Sequence, residues 1–270
     1  MNLAVIIPAA GSSRRYAESG PDLGDRSKLD EDLGGRPLLQ RTVELFTKRA
    51  EVSLVIVAGP AEDGAYRRFS ERYGDTLGLL GVRVCRGGPD HRYQSVAAAL
   101  ALVPDEGITH IAVHDAARPC ASETLIDRVL LAAERHPAVV PALEVTDTLK
   151  RVGEAEPGLA DPDPLASILG PAPGGPAARA RVVEETLARR DVWAVQTPQV
   201  FAAPLLRRAY AQADLTSTDD SQLVERLGVP AVVVEGEPGN VKITRRADLE
   251  LARAILRLGP APRREAHKKF

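Results

Sequence analysis

The chain has 270 residues, 44% hydrophobic and 4% aromatic, with 35 Lys and Arg against 37 Asp and Glu. That composition suits one large α/β core and excludes wholesale disorder, collagen-like repeats and global attraction to nucleic acid or anionic membrane. With two cysteines, no basic leader before Leu3 and no apolar run near the roughly 20 residues that cross a bilayer, the expectation is a soluble, cytoplasmic protein.

In chain order, short β-rich apolar runs alternate with longer amphipathic stretches. Strands are expected at Ala4–Ile7, Ser53–Val57, Val82–Cys85, Thr109–Val113, Ala138–Ala142 and Ala231–Glu235. These runs alternate little between apolar and polar, as in a sheet covered on both faces. Helices are expected from Pro37 to about Lys48, with Pro37 in the first turn, and near Ala61–Tyr73, Gln94–Leu102, Ser122–Arg135, Ser221–Leu227 and Arg246–Leu256. Strand–helix alternation of this kind implies a doubly wound, mostly parallel sheet, with ligands at the carboxyl ends of its strands. Cys85 and Cys120 read as small core residues.

Two stretches break the pattern. Residues 152–181 hold 11 Gly or Pro among 30 and cannot form a regular helix or central strand. Flanked by Asp147–Arg151 and Val182–Leu187, they read as the tip of a protruding β-arm spanning about 146–190, or as a plain spacer. A second, polar insertion lies at Ala17–Arg26. The expected organisation is one domain over 1–258 with a frayed basic tail at 259–270.

Chemistry concentrates at strand ends. The first strand runs into Pro8-Ala9-Ala10-Gly11-Ser12-Ser13-Arg14-Arg15, either an ordinary strand–helix turn or a phosphate cradle with cations beside it. Gly87-Gly88 follows the third strand and can be a plain turn or a wall for a base. The fourth strand ends in His114-Asp115-Ala116-Ala117-Arg118-Pro119, where a carboxylate can hold Mg²⁺ or simply cap a turn. His114 alternates away from Asp115 and reads as structural. Thr218, Asp219 and Asp220 precede a helix, where capping alone explains an Asp. Trp193 reads as core or arm-base packing.

Pro8-Ala9-Ala10-Gly11, Val113-His114-Asp115-Ala116-Ala117-Arg118-Pro119, Thr146-Asp147-Thr148-Leu149-Lys150, Gln196-Thr197-Pro198-Gln199, Thr218-Asp219-Asp220 and Asn240-Val241-Lys242-Ile243-Thr244 occur in this order. Together they resemble the motifs of the 2-C-methyl-D-erythritol 4-phosphate cytidylyltransferase family, from about Leu3 to Leu256. The resemblance implies a Rossmann-like nucleotidyltransferase fold and cytidylyl transfer from CTP to a polyol phosphate, by attack of the acceptor phosphate on the α-phosphorus. It implies Arg15 and Lys28 as catalytic cations and Asp115 as the ligand of Mg²⁺. Pro8, Ala9, Ala10, Gly11, Gly88, Arg92 and Ser95 would bind the nucleotide. Arg118, Thr148, Thr197, Thr218, Arg189 and Lys242 would position the acceptor, with Arg190 the rival of Arg189. It also implies a homodimer whose arms cross.

The sequence departs from the family pattern at Ser13 (usually Gly), Gln94 (Asp) and Leu29 (Gln), and by one extra residue between Gly88 and Arg92. The stretch from Lys150 to Arg189 is much longer than in typical members. The alternatives are a ribitol 5-phosphate cytidylyltransferase, another sugar-nucleotide pyrophosphorylase, or a nucleotide-binding regulator without turnover.

Overall fold

The computed structural model describes residues 1–11, 14–18, 27–155 and 181–259. Most of the Ala17–Arg26 insertion, residues 156–180 of the Pro/Gly-rich stretch, and the tail after Gly259 lie outside them. Two compact units emerge, Met1–Leu143 with Val195–Phe270, and Glu144–Ala194.

Ten strands occur among the described residues: β1 (Leu3–Pro8), β2 (Val52–Gly59), β3 (Arg83–Arg86), β4 (His110–Val113), β5 (Ala138–Glu144), β6 (Leu149–Ala155), β7 (Arg181–Leu187), β8 (Trp193–Val195), β9 (Gln199–Ala202) and β10 (Val232–Glu235). The main sheet runs β10-β5-β9-β4-β1-β2-β3. All six expected strands are present and pair in parallel where they adjoin; β9 inserts antiparallel, between β4 and β5. The order 3-2-1-4 reverses between β1 and β4, which makes their carboxyl ends the switch-point crevice.

Alternate residues of β1 feed two separate cores. Leu3, Val5 and Ile7 join one with helices Leu38–Thr47, Asp63–Leu79, Glu123–Ala133 and Arg246–Ile255. Ala4 and Ile6 join the other with Arg92–Leu100, Ala203–Tyr210 and Asp220–Glu225. All five of these β1 side chains are fully buried, which is why the run shows no alternation. The edge strand β10 does alternate, and has no second neighbour among the described residues.

Several boundaries move. Pro37 is the N-cap of the helix that starts at Leu38, one position before its first turn. The helix expected to stop near Tyr73 runs on to Leu79, because burial of Leu77 outweighs the helix-weakening Gly74 and Gly78. It is capped by Glu62, whose carboxylate accepts from Gly64 and Ala65 N–H at 2.7 and 2.6 Å. Cys120 is buried and Cys85 only partly so. Trp193 is 44% exposed, which corrects the expectation of core packing.

In the smaller unit β6 and β7 form an antiparallel ribbon, pairing Leu149 with Leu187 and Arg151 with Glu185. Of the expected legs, Val182–Leu187 lies wholly in β7, while Asp147–Arg151 joins β6 only from Leu149 on. Val152, Val182 and Val183 on the ribbon are exposed. Among the described residues no helix is long and apolar enough to cross a membrane.

Candidate active site

The crevice between β1 and β4 opens into two adjoining clefts. The first, about 510 Å³, is lined by Pro8 to Gly11 after β1, by Lys28, by Gly88, Arg92 and Ser95 after β3, and by Asp115 after β4. The second, about 460 Å³, is lined by Arg118, Gln196, Thr197, Thr218 and Gln222, among others. Arg92, Asp115 and Lys242 face both.

Local structure explains the first cleft. Gly88 N–H donates to Ser95 Oγ at 3.0 Å, drawing the turn after β3 against the helix Arg92–Leu100. The approach is too close for side chains. A Cβ on Gly88 would lie 2.0 Å from Gln94 Cβ, and one on Gly87 would lie 2.6 Å from the Gly59 carbonyl. Gln94 closes the same turn by accepting N–H bonds from Asp90 and His91, both at 3.0 Å. The cleft thus presents backbone and a helix N-terminus, a surface suited to an anionic or flat polar ligand.

Asp115 is the junction. Arg92 Nε lies 3.2 Å from its Oδ1, while Lys242 Nζ and Arg118 Nε lie 2.9 and 3.3 Å from its Oδ2. Burial would push its carboxyl up, but Arg92, Lys242 and Arg118 outweigh that and hold it well below the ordinary carboxylate range. Arg92 also donates from Nη1 to Asp220 Oδ2 at 2.7 Å, and Arg118 Nη1 donates to the Asn240 carbonyl at 2.7 Å.

His114 is fully buried against Phe46. Its Nε2 must donate to the Arg118 carbonyl at 3.0 Å, so its Nδ1 accepts from the Thr197 hydroxyl at 3.2 Å. Thr197 Oγ1 in turn accepts Asp115 N–H at 3.0 Å. Burial lowers the imidazole pKa to about 4, which keeps the ring neutral, with Nδ1 as an acceptor, near neutral pH. The histidine is structural, as its alternation implied. Thr197, which the resemblance assigns to the acceptor, lines the second cleft but spends its hydroxyl on fixing the Asp115 backbone.

Lys28 enters from a 3₁₀ turn, Lys28–Asp30, and donates to the Ile243 carbonyl at 2.9 Å, next to Lys242. Arg15 falls on the helix Arg14–Ala17 just beyond the β1 loop; its side chain, like Ser13, lies outside the described residues. Thr148 and Arg189 belong to the smaller unit, where both are exposed at the same end of the ribbon, flanking the Leu149–Leu187 pair. Val192 N–H donates to the Arg189 carbonyl at 3.1 Å across a turn in which Asp191 takes φ 60°. Arg190 is exposed beside it.

Among the described residues no group of three His, Cys, Asp or Glu could form a metal cage. Asp115 brings one carboxylate to the junction of the two clefts, a donor that Mg²⁺ takes when water and phosphate oxygens complete its shell, so the residues fit that ion in that form.

Sequence reasoning missed Asp220 and Tyr210. Of the two aspartates, either of which could cap the helix, Asp219 does so, accepting Gln222 N–H at 3.1 Å. Asp220 is fully buried and instead pairs with Arg92 and with the Tyr210 hydroxyl, at 2.5 Å. Its place in the Thr-Asp-Asp motif was the available signal, but the cap position absorbed both aspartates.

The family model of 2-C-methyl-D-erythritol 4-phosphate cytidylyltransferase matches residues 3–161 and 176–258, breaking inside the Pro/Gly-rich stretch. The enzyme of that name from Symbiobacterium thermophilum is 39% identical over 263 residues, 94% of this chain and 92% of its own. That from Rhodococcus jostii is 39% identical over 259 residues, 95% and 96% of the two chains. The crystal structure of the Thermus thermophilus enzyme superimposes with a TM-score of 0.65 at 34% identity, over 96% of this chain and all of the other. With this match over nearly its whole length, the chain belongs to the 2-C-methyl-D-erythritol 4-phosphate cytidylyltransferase family.

Proposed function

We infer that the protein transfers the cytidylyl group of CTP to 2-C-methyl-D-erythritol 4-phosphate, giving 4-diphosphocytidyl-2-C-methyl-D-erythritol and pyrophosphate. The observation that carries the reading is the pair of clefts sharing Asp115, Arg92 and Lys242. CTP is assigned to the cleft between the β1 loop and Gly88, and the acceptor phosphate to the cleft beside Arg118 and Thr218.

An acceptor phosphate, with its second pKa near ~6, is largely dianionic at neutral pH and needs no general base. His114 could not serve as one, since both its ring nitrogens are bonded internally. What the reaction needs is charge neutralisation and alignment. Lys28 and Arg15 are assigned to the negative charge that grows on the leaving pyrophosphate. Arg118, Lys242 and Thr218 orient the attacking phosphate, a proximity effect. Mg²⁺, for which Asp115 supplies the charge, would neutralise triphosphate oxygens when bound.

The exposed valines of the ribbon favour a homodimer through the smaller unit, with Thr148 and Arg189 lent to the neighbour's acceptor site. CTP is an intracellular solute, so the reading also carries a cytoplasmic location. It favours the methylerythritol acceptor over ribitol 5-phosphate, because the matching family model and relatives carry that name. Pyrophosphate release from CTP, compared across a panel of polyol phosphates with and without Mg²⁺, tests it. The highest kcat/KM is expected with 2-C-methyl-D-erythritol 4-phosphate; preference for ribitol 5-phosphate would replace the acceptor.

A further inference from the structure

We propose that Asp30 and Tyr73 act as positioning residues for Lys28, an inference that rests on the reading of Lys28 as a catalytic cation. Lys28 projects from a 3₁₀ turn of three residues, too short to fix its own direction. Asp30 constrains the turn with both oxygens. Its Oδ2 accepts Ser27 N–H at 3.1 Å while Ser27 Oγ accepts Leu29 N–H at 3.2 Å, a reciprocal box that closes the turn on itself. Its Oδ1 faces the other way, bonded to the Tyr73 hydroxyl and paired with Arg72, both on the helix Asp63–Leu79.

That helix is a fixed post. Tyr73 is 4% exposed and its ring lies 4.9 Å from that of Phe69. Burial first, and then the hydrogen bond and charge of Asp30, raise the phenol pKa, so the hydroxyl stays a donor at working pH. On the cleft side Leu29 is buried and Lys28 Nζ meets the Ile243 carbonyl. One carboxylate thus ties the lysine-bearing turn to the scaffold, and preorganisation of this kind acts on rate more than on binding.

Tyr73→Phe deletes one oxygen and keeps the ring packing. Turnover should fall about tenfold, less than the roughly 10² that a 1 Å misplacement can cause, with KM for CTP changed by less than about twofold. Asp30→Asn, similar in shape, should show the same kcat-selective loss and serves if Tyr73→Phe misfolds. In the Lys28→Ala background, Tyr73→Phe should slow the reaction no further, because the hydroxyl acts through the lysine. Unchanged turnover in Tyr73→Phe, a loss carried by KM, or a multiplicative loss on top of Lys28→Ala would overturn the proposal. Wild-type turnover in Lys28→Ala would overturn the catalytic reading of the lysine itself, and the proposal with it.

Discussion

Arg92 Nη1 lies 2.7 Å from Asp220 Oδ2, joining the start of one helix to the start of another across the site. Asp220 is fully buried, and its other oxygen takes the Tyr210 hydroxyl. Because Arg92 also holds Asp115, the buried aspartate fixes the ridge between the two clefts from behind. Asp220→Ala would strand a cation and a phenol. Losing one partner of a buried pair costs about 3–5 kcal/mol, and the lower end applies because the Arg92 side chain keeps 27% of its exposure. Urea denaturation should show a loss of about 3 kcal/mol, with turnover reduced as well.

Gly88 tests the nucleotide wall. An added methyl group would lie 2.0 Å from Gln94 Cβ and 3.0 Å from the Gln94 backbone, so the turn must move. Gly88→Ala is expected to weaken CTP binding at least tenfold by calorimetry and to destabilise the fold by about 1–3 kcal/mol, the usual scale of overpacking. A conservative Ser95→Ala, which leaves the Gly88 N–H without its acceptor at 3.0 Å, should weaken CTP in the same direction and by less.

The sheet could be read from the sequence because Ala4–Ile7 and Ile111–Val113 bury both faces, leaving short apolar runs bounded by motif residues. β9 could not. Its four residues sit between Pro198 and a helix that begins at Ala203, leaving no length for a period to develop. Asp115 was legible as a charged residue at a strand end, whereas Lys28 and Lys242, in a 3₁₀ turn and a loop, stood out only through the family motifs. The bonds at the site were not legible, since Arg92, Asp115 and Asp220 meet only after the chain has folded.

His114 gives the fold a pH dependence with a defined sign. Its folded pKa is about 4, against about 6.5 for an unperturbed imidazole. Between those values the unfolded chain binds a proton that the native chain does not. Stability is therefore full above about pH 6.5 and declines as pH falls toward 4, by roughly 3 kcal/mol in all. Denaturation midpoints at pH 7.5 and 5 should differ in the wild type, and His114→Gln should flatten that difference. Asp115, held low by its cations, adds a further loss only at more acid pH, below the ordinary carboxylate range.

Subunit mixing tests the arm. Lys28→Ala and Arg189→Ala are each expected to lower turnover by roughly 10²-fold, the scale of losing one preorganised contact. If each active site borrows Arg189 from its neighbour, a mixed dimer holds one site with both lesions and one intact site, and activity partly returns. An arm that serves its own chain leaves one lesion in every site, and mixing restores nothing.

The central claim is that an oxygen of the acceptor phosphate itself attacks the α-phosphorus of CTP and becomes the bridge of the product diphosphate. The most direct measurement follows the oxygens. With 2-C-methyl-D-erythritol 4-phosphate labelled with ¹⁸O in its phosphate, the account predicts ¹⁸O at the bridge of the product diphosphate and none in the pyrophosphate, read by ³¹P isotope shifts. Label in the pyrophosphate, or release of CMP without a labelled diphosphate, would contradict it.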